Sequence, residues 1–316
     1  MSGRYLVTGG AGFIGGHLAR RLADRGDRVV VIDDLSSGLE ENVPSPARFE
    51  RADLADPATY ERLNDETFDV VFHFGAQPSA EVSTEDPLRD FDSNARGTFL
   101  LLRWCESRGI RRVLHASSMA VYGESDGPIA ETAPLLPRSF YGTSKLAGEA
   151  YARIFGLRGL DVTIFRMFNV YGSGQNLANL RQGMASIYLA YLLDDQPIHV
   201  KGSLDRFRDF VHVTDVVDAW LATVEAPVTF GKAYNVGTGR RTTVRELVDA
   251  LGVAYGFPRG ECPVRVEGAT GGDIQGNVAD MSAMQRDLGW QSKVTLEDGL
   301  AEMVAWAKAR TGNGAR

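Results

Sequence analysis

Tyr141 and Lys145 stand four residues apart in the run Tyr141-Gly142-Thr143-Ser144-Lys145, at the start of a helical stretch. That separation puts the phenol and the ammonium on one helical face. A phenol becomes a useful base only when its pKa falls from about 10 toward neutrality, a change of roughly 4 kcal/mol. Lys145 would favour the phenolate, and a positive charge on a bound ligand would supply the remainder. Ser117 and Ser118 close the β-rich run Arg112–Ala116, at the edge where ligands of parallel sheets bind. Both serines therefore stand at the ligand edge with Tyr141 and Lys145. A lone YxxxK pair is also a common feature of surface helices, so its weight depends on what surrounds it.

The surroundings include a second motif. Thr8-Gly9-Gly10-Ala11-Gly12-Phe13-Ile14-Gly15 follows a strand and opens a helix. Glycines there permit a tight turn and let backbone N–H groups approach a pyrophosphate at the helix amino terminus. Asp33 ends the next β-rich run at the spacing where an acid meets an adenosine ribose. A carboxylate there repels the extra phosphate of NADP, and Asp34-Leu35-Ser36-Ser37 supplies no arginine for it, so the expected cofactor is NAD. Asp53, after the following short strand, is either an adenine-edge contact or a plain turn residue.

The elements that must position these groups alternate. Arg4–Thr8, Arg28–Ile32, Val70–Phe74, Arg112–Ala116 and Val162–Arg166 are short β-rich runs. Phe13–Arg25, Asn94–Arg108 and Gly142–Leu157 have helical spacing. Such alternation predicts an α/β fold with a doubly wound parallel sheet of Rossmann type. After about Asn169 the pattern loosens into glycine-rich loops around a few helices, such as Met184–Leu193 and Thr243–Leu251. The expected organisation is a dinucleotide-binding domain over 1–169 and a smaller α/β substrate lobe over 170–316, with segments crossing back.

Composition narrows the function classes. The formal charge of -7 opposes a nucleic-acid or anionic-membrane surface. No apolar run approaches the roughly 20 residues of a membrane span. The two cysteines, Cys105 and Cys262, lack CxxC spacing and read as free thiols in a reducing compartment, with the cytoplasm as default. The five histidines form no ligand-spaced cluster, so no metal is expected.

Together the glycine motif, Asp33, the segment Ser117–Gly123, Tyr141 with Lys145, and Arg166-Met167-Phe168-Asn169-Val170-Tyr171-Gly172 resemble the extended short-chain dehydrogenase/reductase family. Within it the chain is most similar to nucleotide-sugar epimerases of the UDP-glucose 4-epimerase kind. Arg208-Asp209-Phe210-Val211-His212-Val213 and Val278-Ala279-Asp280 extend the likeness. The resemblance implies that Tyr141 takes a proton from a sugar hydroxyl, with Ser118 in the hydrogen-bond path, while hydride passes to NAD and returns to the other face. It implies cofactor contacts along the glycine loop (Gly9, Gly12, Phe13, Ile14, Gly15) and at Asp33 and Asp34. Asp53, Leu54, Phe74 and Phe168, with Tyr141 and Lys145, complete that set, and Asn94 supports the active-site helix. Asn169 and Arg208 would hold the sugar-nucleotide pyrophosphate, and Asp273 would also meet the substrate. The likeness further implies a homodimer, for which Phe99, Leu100, Leu101, Leu102 and Trp104 offer apolar surface.

Two departures matter. The family's dehydratases carry acids just after the strand serine or threonine, where this chain has Met119 and Ala120, which transfer no proton. Redox inversion is thus favoured over a 4,6-dehydratase or related lyase, and both over an NAD-binding regulatory protein without chemistry. Members also commonly show Arg-Pro-Gly-Asp where this chain reads Thr270-Gly271-Gly272-Asp273. The missing phosphate cation, worth about 1.5–3 kcal/mol, leaves Arg181 and Lys201 as candidates to replace it. Asn277 matches the position that limits bulk at the sugar's C2 substituent and leaves room for an N-acetyl group.

Overall fold

A computed structural model describes residues 2–63, 66–125, 127–268 and 275–312. The chain opens with β1 (Arg4–Thr8), α1 (Phe13–Asp24), β2 (Arg28–Asp33), β3 (Arg48–Arg51), α2 (Ala58–Glu61) and β4 (Val70–His73). Next come α3 (Ala80–Glu85), α4 (Pro87–Phe91), a π-helical turn at Asp92–Arg96, α5 (Gly97–Ser107), β5 (Arg112–Ser118) and α6 (Phe140–Leu157). One seven-stranded sheet runs in the order Ala233–Val236, Asp161–Met167, β5, β4, β1, β2, β3. Neighbours from β3 to Asp161–Met167 pair in parallel. Leu6, Val7, Val31, Ile32, Val71, Phe72, Val113 and Leu114 are buried in its middle, as a sheet covered on both faces requires. The chain leaves β1 toward β2 and β3, then returns to β4 on the other side. That reversal is where α/β sheets open a ligand crevice at their carboxyl ends.

One stretch departs from the periodicity. The helix expected over Asn94–Arg108 is instead preceded by α3, α4 and the π turn. Pro87 starts α4, and the Asp86 side chain caps it by accepting from the Arg89 N–H at 3.0 Å. The π turn then admits one extra residue per turn, a device frequent at functional sites. Here it carries Asn94.

The chain divides into two compact units. The first comprises Met1–Gly123, Pro134–Met167 and Val217–Tyr234, and the second Glu124–Ala133, Phe168–Val216 and Asn235–Arg316. The chain first crosses at Gly123–Glu124, returns at Pro134 and crosses again at Met167–Phe168, where Phe168 bonds to Val236 of the same second unit. The second unit has its own core of Tyr188, Leu189, Ile198, Leu247, Leu251, Leu300 and Met303. It also holds more strand than the glycine-rich sequence suggested. Asn169–Tyr171 pairs with Phe210–His212 and Ile198–Lys201 with Val264–Glu267, both in parallel. No helix among the described residues is long and apolar enough to cross a membrane. Nor do the described residues contain a group of three or more His, Cys, Asp or Glu able to hold a metal ion.

A buried charge pair fastens α6 to the sheet in the first unit. Arg166 on Asp161–Met167 meets Glu149 on α6 through two hydrogen bonds, Nε to Oε1 at 2.9 Å and Nη2 to Oε2 at 2.8 Å. Their side chains are 1% and 0% exposed. Ser117 donates to the same carboxylate at 2.6 Å and Arg153 at 2.8 Å. Arg166 also donates to the Tyr122 hydroxyl and lies over its ring. Breaking such a pair strands a charge in the interior, whereas replacing both members removes the liability. Glu149→Gln should therefore cost about 3–5 kcal/mol in urea unfolding. Glu149→Leu combined with Arg166→Met should cost clearly less, and additive losses would contradict this account.

Candidate active site

The glycine loop is built for close approach. Gly9 has φ +68°, and a Cβ on it would lie 2.6 Å from the Gly75 nitrogen. At Gly15 a Cβ would lie 2.2 Å from the Gly9 oxygen, so a side chain at either position forces the loop open. Gly12 caps α1 without any side-chain hydrogen bond, and no acid sits in the first turn. Those N–H groups are thus presented to an anion, the feature by which this site fits a dinucleotide. Phe13 and Ile14, the first residues of α1, are partly exposed. Asp33 is buried at the end of β2, where Oδ2 accepts from the Ala11 N–H at 3.0 Å and Oδ1 from the Leu35 N–H at 2.9 Å. It braces the glycine loop as well as ending the strand, and burial raises its pKa against those hydrogen bonds.

Asp34 and Asp53 are exposed, and each accepts from the N–H two residues on, Ser36 and Ala55. Leu54 belongs to the core and packs against Gly75, where a Cβ would come within 2.4 Å of its side chain. Phe74 stacks on Trp220 with ring centroids 4.0 Å apart.

From this loop a polarised chain of hydrogen bonds runs to the π turn. Thr98 Oγ1 donates to the Asn94 carbonyl at 2.6 Å, so it accepts from His73 Nε2 at 2.9 Å. His73 Nδ1 is then left to accept from Thr8 Oγ1 at 2.8 Å, and Thr8 in turn accepts from the Gly75 N–H. One neutral tautomer of His73, protonated on Nε2, satisfies every link. Burial, with Lys145 nearby, lowers His73 to about 3 and keeps it neutral. Beside it His115 stacks at 5.1 Å and is likewise held well below its ordinary value by burial.

Asn94 receives that chain and passes it on. Its Oδ1 accepts from the Gln77 N–H at 2.7 Å, and its Nδ2 lies 3.0 Å from Asp90 Oδ1 and from Ser144 Oγ. Ser144 donates to the Tyr141 carbonyl within the first turn of α6. Ser139 caps that helix by accepting from the Gly142 N–H at 3.0 Å. Gly142 is required there, since a Cβ would lie 2.5 Å from the Ala120 carbonyl. The short 3-10 turn Met119–Val121 thereby sits against the start of α6.

Here Ser118, Tyr141 and Lys145 come together. Ser118 and Tyr141 share a hydrogen bond, and Ser118 Oγ also accepts from the Ala120 N–H at 3.2 Å. The neighbouring Ser117 turns instead to Glu149. Lys145 is buried, which lowers its pKa to about 8 against the pull of Asp90 and Glu149. The expected lowering of the Tyr141 phenol is not found in the free protein. Burial raises it, and Asp90 adds to the rise while Ser118 opposes it. The reason is enclosure of the phenol itself, which disfavours its anion more than the Ser118 hydrogen bond favours it. Asp90 and Glu149 were not singled out from sequence. The one available signal was the four-residue step from Lys145 to Glu149, which continues the same helical face.

The second unit holds the other expected residues. Asn169 donates from both its backbone N–H and its Nδ2 to the Asp209 carbonyl, at 2.9 and 3.2 Å. Asp209 is itself fully buried and accepts from Thr238, Gly239 and Ala279. Arg208 is buried, with Nη1 donating to the Phe207 carbonyl at 2.7 Å. Asn169 and Arg208 are thus brought together around Asp209. Phe168 is buried and Asn277 fully so, while Arg181 and Lys201 are exposed. Asp273 and Thr270 lie outside the described residues.

Comparison with known proteins agrees with this architecture. The model of the NAD dependent epimerase/dehydratase family matches residues 5–237. A UDP-glucose 4-epimerase of Mycolicibacterium smegmatis is 36% identical over 318 residues, covering 98% of this chain and 99% of the relative. The crystal structure of a Thermotoga maritima UDP-glucose 4-epimerase with UDP-glucose superposes with a TM-score of 0.92 at 34% identity, covering 98% and 99% of the two chains. A Streptomyces venezuelae dTDP-glucose 4,6-dehydratase with NAD bound gives 0.90 at 30% identity over 98% of each. The chain belongs to the NAD-dependent epimerase/dehydratase family.

Proposed function

We propose that this enzyme inverts a nucleotide sugar at C4 through a transient 4-keto sugar, acting on UDP-glucose and UDP-galactose and on the N-acetylated pair. The observation that carries the reading is the Ser118–Tyr141 hydrogen bond above a buried Lys145, followed by Met119 and Ala120. The glycine loop and Asp33 would hold NAD, which supplies a hydride acceptor and then a hydride donor. Tyr141 receives the proton of the sugar's 4-hydroxyl and later returns it to the same oxygen. Ser118 aligns that hydroxyl through its hydrogen bond to the phenol. Lys145 stabilises the phenolate that must stand ready before that proton moves. Met119 and Ala120 offer no group to expel a hydroxyl or to deprotonate the adjacent carbon.

In this reading Asn169, Arg208 and Asp273 hold the nucleotide, Arg181 or Lys201 replaces the cation missing at Thr270, and Asn277 borders the C2 substituent. The enzyme acts in the cytoplasm as a homodimer. Ile154 and Leu157 on α6 are 55% and 87% exposed and extend the partly buried Phe99 and Leu100 of α5. These side chains would pair across the dimer axis, while Leu101, Leu102 and Trp104 are spent in the core.

Incubation with UDP-, dTDP-, CDP- and GDP-sugars, followed by NMR, should show inversion at C4 of UDP-glucose and UDP-N-acetylglucosamine. Tyr141→Phe should lower that turnover about 10²–10⁴-fold. A 4-keto-6-deoxy product would make the enzyme a dehydratase, and unchanged sugars would end the proposal. Arg181→Ala should raise the KM for UDP-glucose about tenfold or more, and an unchanged KM removes Arg181 from the site. Light scattering should return twice the monomer mass, falling toward one with Leu157→Glu.

A further inference from the structure

Arg208 and Asn169, the two candidate contacts for the nucleotide, belong to different strand ladders of the second unit. Phe207–Arg208 pairs antiparallel with Thr242–Thr243, whereas Asn169–Tyr171 pairs in parallel with Phe210–His212. Asp209 is the one residue between Phe207–Arg208 and Phe210–His212, so the chain changes partners at it. Its carbonyl accepts from Asn169 twice, at 2.9 Å from the N–H and at 3.2 Å from Nδ2. How Asn169 stands to Arg208 is therefore set by where residue 209 is held.

The Asp209 side chain does the holding. It is 0% exposed, and four donors converge on its carboxylate. Oδ1 accepts from the Thr238 N–H at 2.8 Å and from Thr238 Oγ1 at 2.7 Å. Oδ2 accepts from the Gly239 N–H at 2.9 Å and from the Ala279 N–H at 3.1 Å. A Cβ at Gly237 would lie 2.7 Å from Oδ2, so that turn closes directly on the carboxylate. Such a set suits two oxygens that only accept. An asparagine of the same size, whichever way it turned, would face at least one backbone N–H with its NH2 and strand it in the interior.

We propose that Asp209 is a positioning residue for nucleotide binding, which sets Asn169 against Arg208 by anchoring the junction of the two ladders to Thr238, Gly239 and Ala279. The inference rests on the reading of Asn169 and Arg208 as nucleotide contacts given above. Losing the anchor frees the junction and weakens the grip on the nucleotide equally before and during hydride transfer, so KM moves and kcat does not.

Amide hydrogen exchange of the full-length protein, followed by NMR, tests the anchor without any ligand. In Asp209→Asn the amides of Gly239, Ala279 and Asn169 should exchange about tenfold faster or more. The Ile198 amide, bonded to the Pro263 carbonyl in the same unit, should keep its rate. An Asn169 amide that exchanges as in the wild type overturns the proposal. So does an Ile198 amide that accelerates with the others, since Asp209 would then serve stability alone. Calorimetry should show UDP binding about tenfold weaker in Asp209→Asn, and the KM for UDP-glucose should rise by a similar factor with kcat within about twofold. In an Asn169→Ala background the same change should cost clearly less, because one of the contacts it positions is gone, and fully additive losses contradict the proposal. Should Asp209→Asn fail to fold, Thr238→Val withdraws the hydroxyl alone and should weaken UDP about threefold. Unchanged UDP binding in that variant also overturns the proposal. A wild type that binds no UDP would sink the nucleotide reading, while the exchange rates judge the anchor by themselves.

Discussion

Taking a lysine ammonium out of water costs several kcal/mol unless charge and hydrogen bonds answer it, and the first unit is arranged around that cost at Lys145. The lysine cannot stay in solvent, because its field weakens steeply with the surrounding dielectric. Buried, it falls only to about 8, since two carboxylates oppose its desolvation. Those carboxylates then need support of their own. Glu149 draws in Arg166, Arg153 and Ser117, and Asp90 draws in Gln77 and Asn94. Each demand is met by a different element, so the position of the ammonium fixes how α4, α6, β5 and Asp161–Met167 meet.

The same region is tied to the glycine loop by groups that have no freedom to reorganise. Thr8, His73 and Thr98 donate in one direction, toward Asn94. A charged His73 would carry a proton on both nitrogens and break the link to Thr8, which a buried chain cannot make up with water. Its low pKa is therefore part of the geometry. The loop that would cradle a pyrophosphate and the helix that carries Tyr141 thus share one rigid scaffold. Preorganisation of this kind costs nothing at the moment of reaction.

Much of this was legible in the sequence where short-range pattern carries it. The five β-rich runs lie within one or two residues of strands, and Gly9 and Gly15 occupy positions where a Cβ has no room. The Tyr141–Lys145 spacing correctly implied a shared helical face. What stayed illegible depends on partners distant in sequence. Asp90 looks like any helix-surface acid until Gln77 and Asn94 close around it. The rise of the Tyr141 pKa comes from burial, which spacing does not encode. The helix expected from Asn94 begins earlier, at Pro87, because the extra residue of the π turn puts the apolar pattern out of step before Gly97. In the second unit the strands have two to four residues, too few for an alternating pattern to stand out. Asn277 shows a related limit, since a motif match places a residue in the chain but says nothing of its full burial.

The economy of protons in the first unit argues for inversion on its own terms. Returning a hydride to the other face of a ketone needs one acid/base group, because the proton leaves and rejoins the same oxygen. Eliminating water needs at least two more transfers, one to the departing hydroxyl and one from the carbon beside the carbonyl. Around Tyr141 the candidates for that work are already engaged. Glu149 is matched by two arginines, and Asp90 is ringed by donors under the helix. His73 is locked in one tautomer, and His115 is fully enclosed. Beyond Ser118 the chain places a thioether and a methyl group where a transferable proton would be required. A centre with one mobile proton, a shared hydroxyl and a fixed ammonium is sufficient for reversible oxidation of an alcohol, and none of the groups described around Tyr141 is left over for a second reaction.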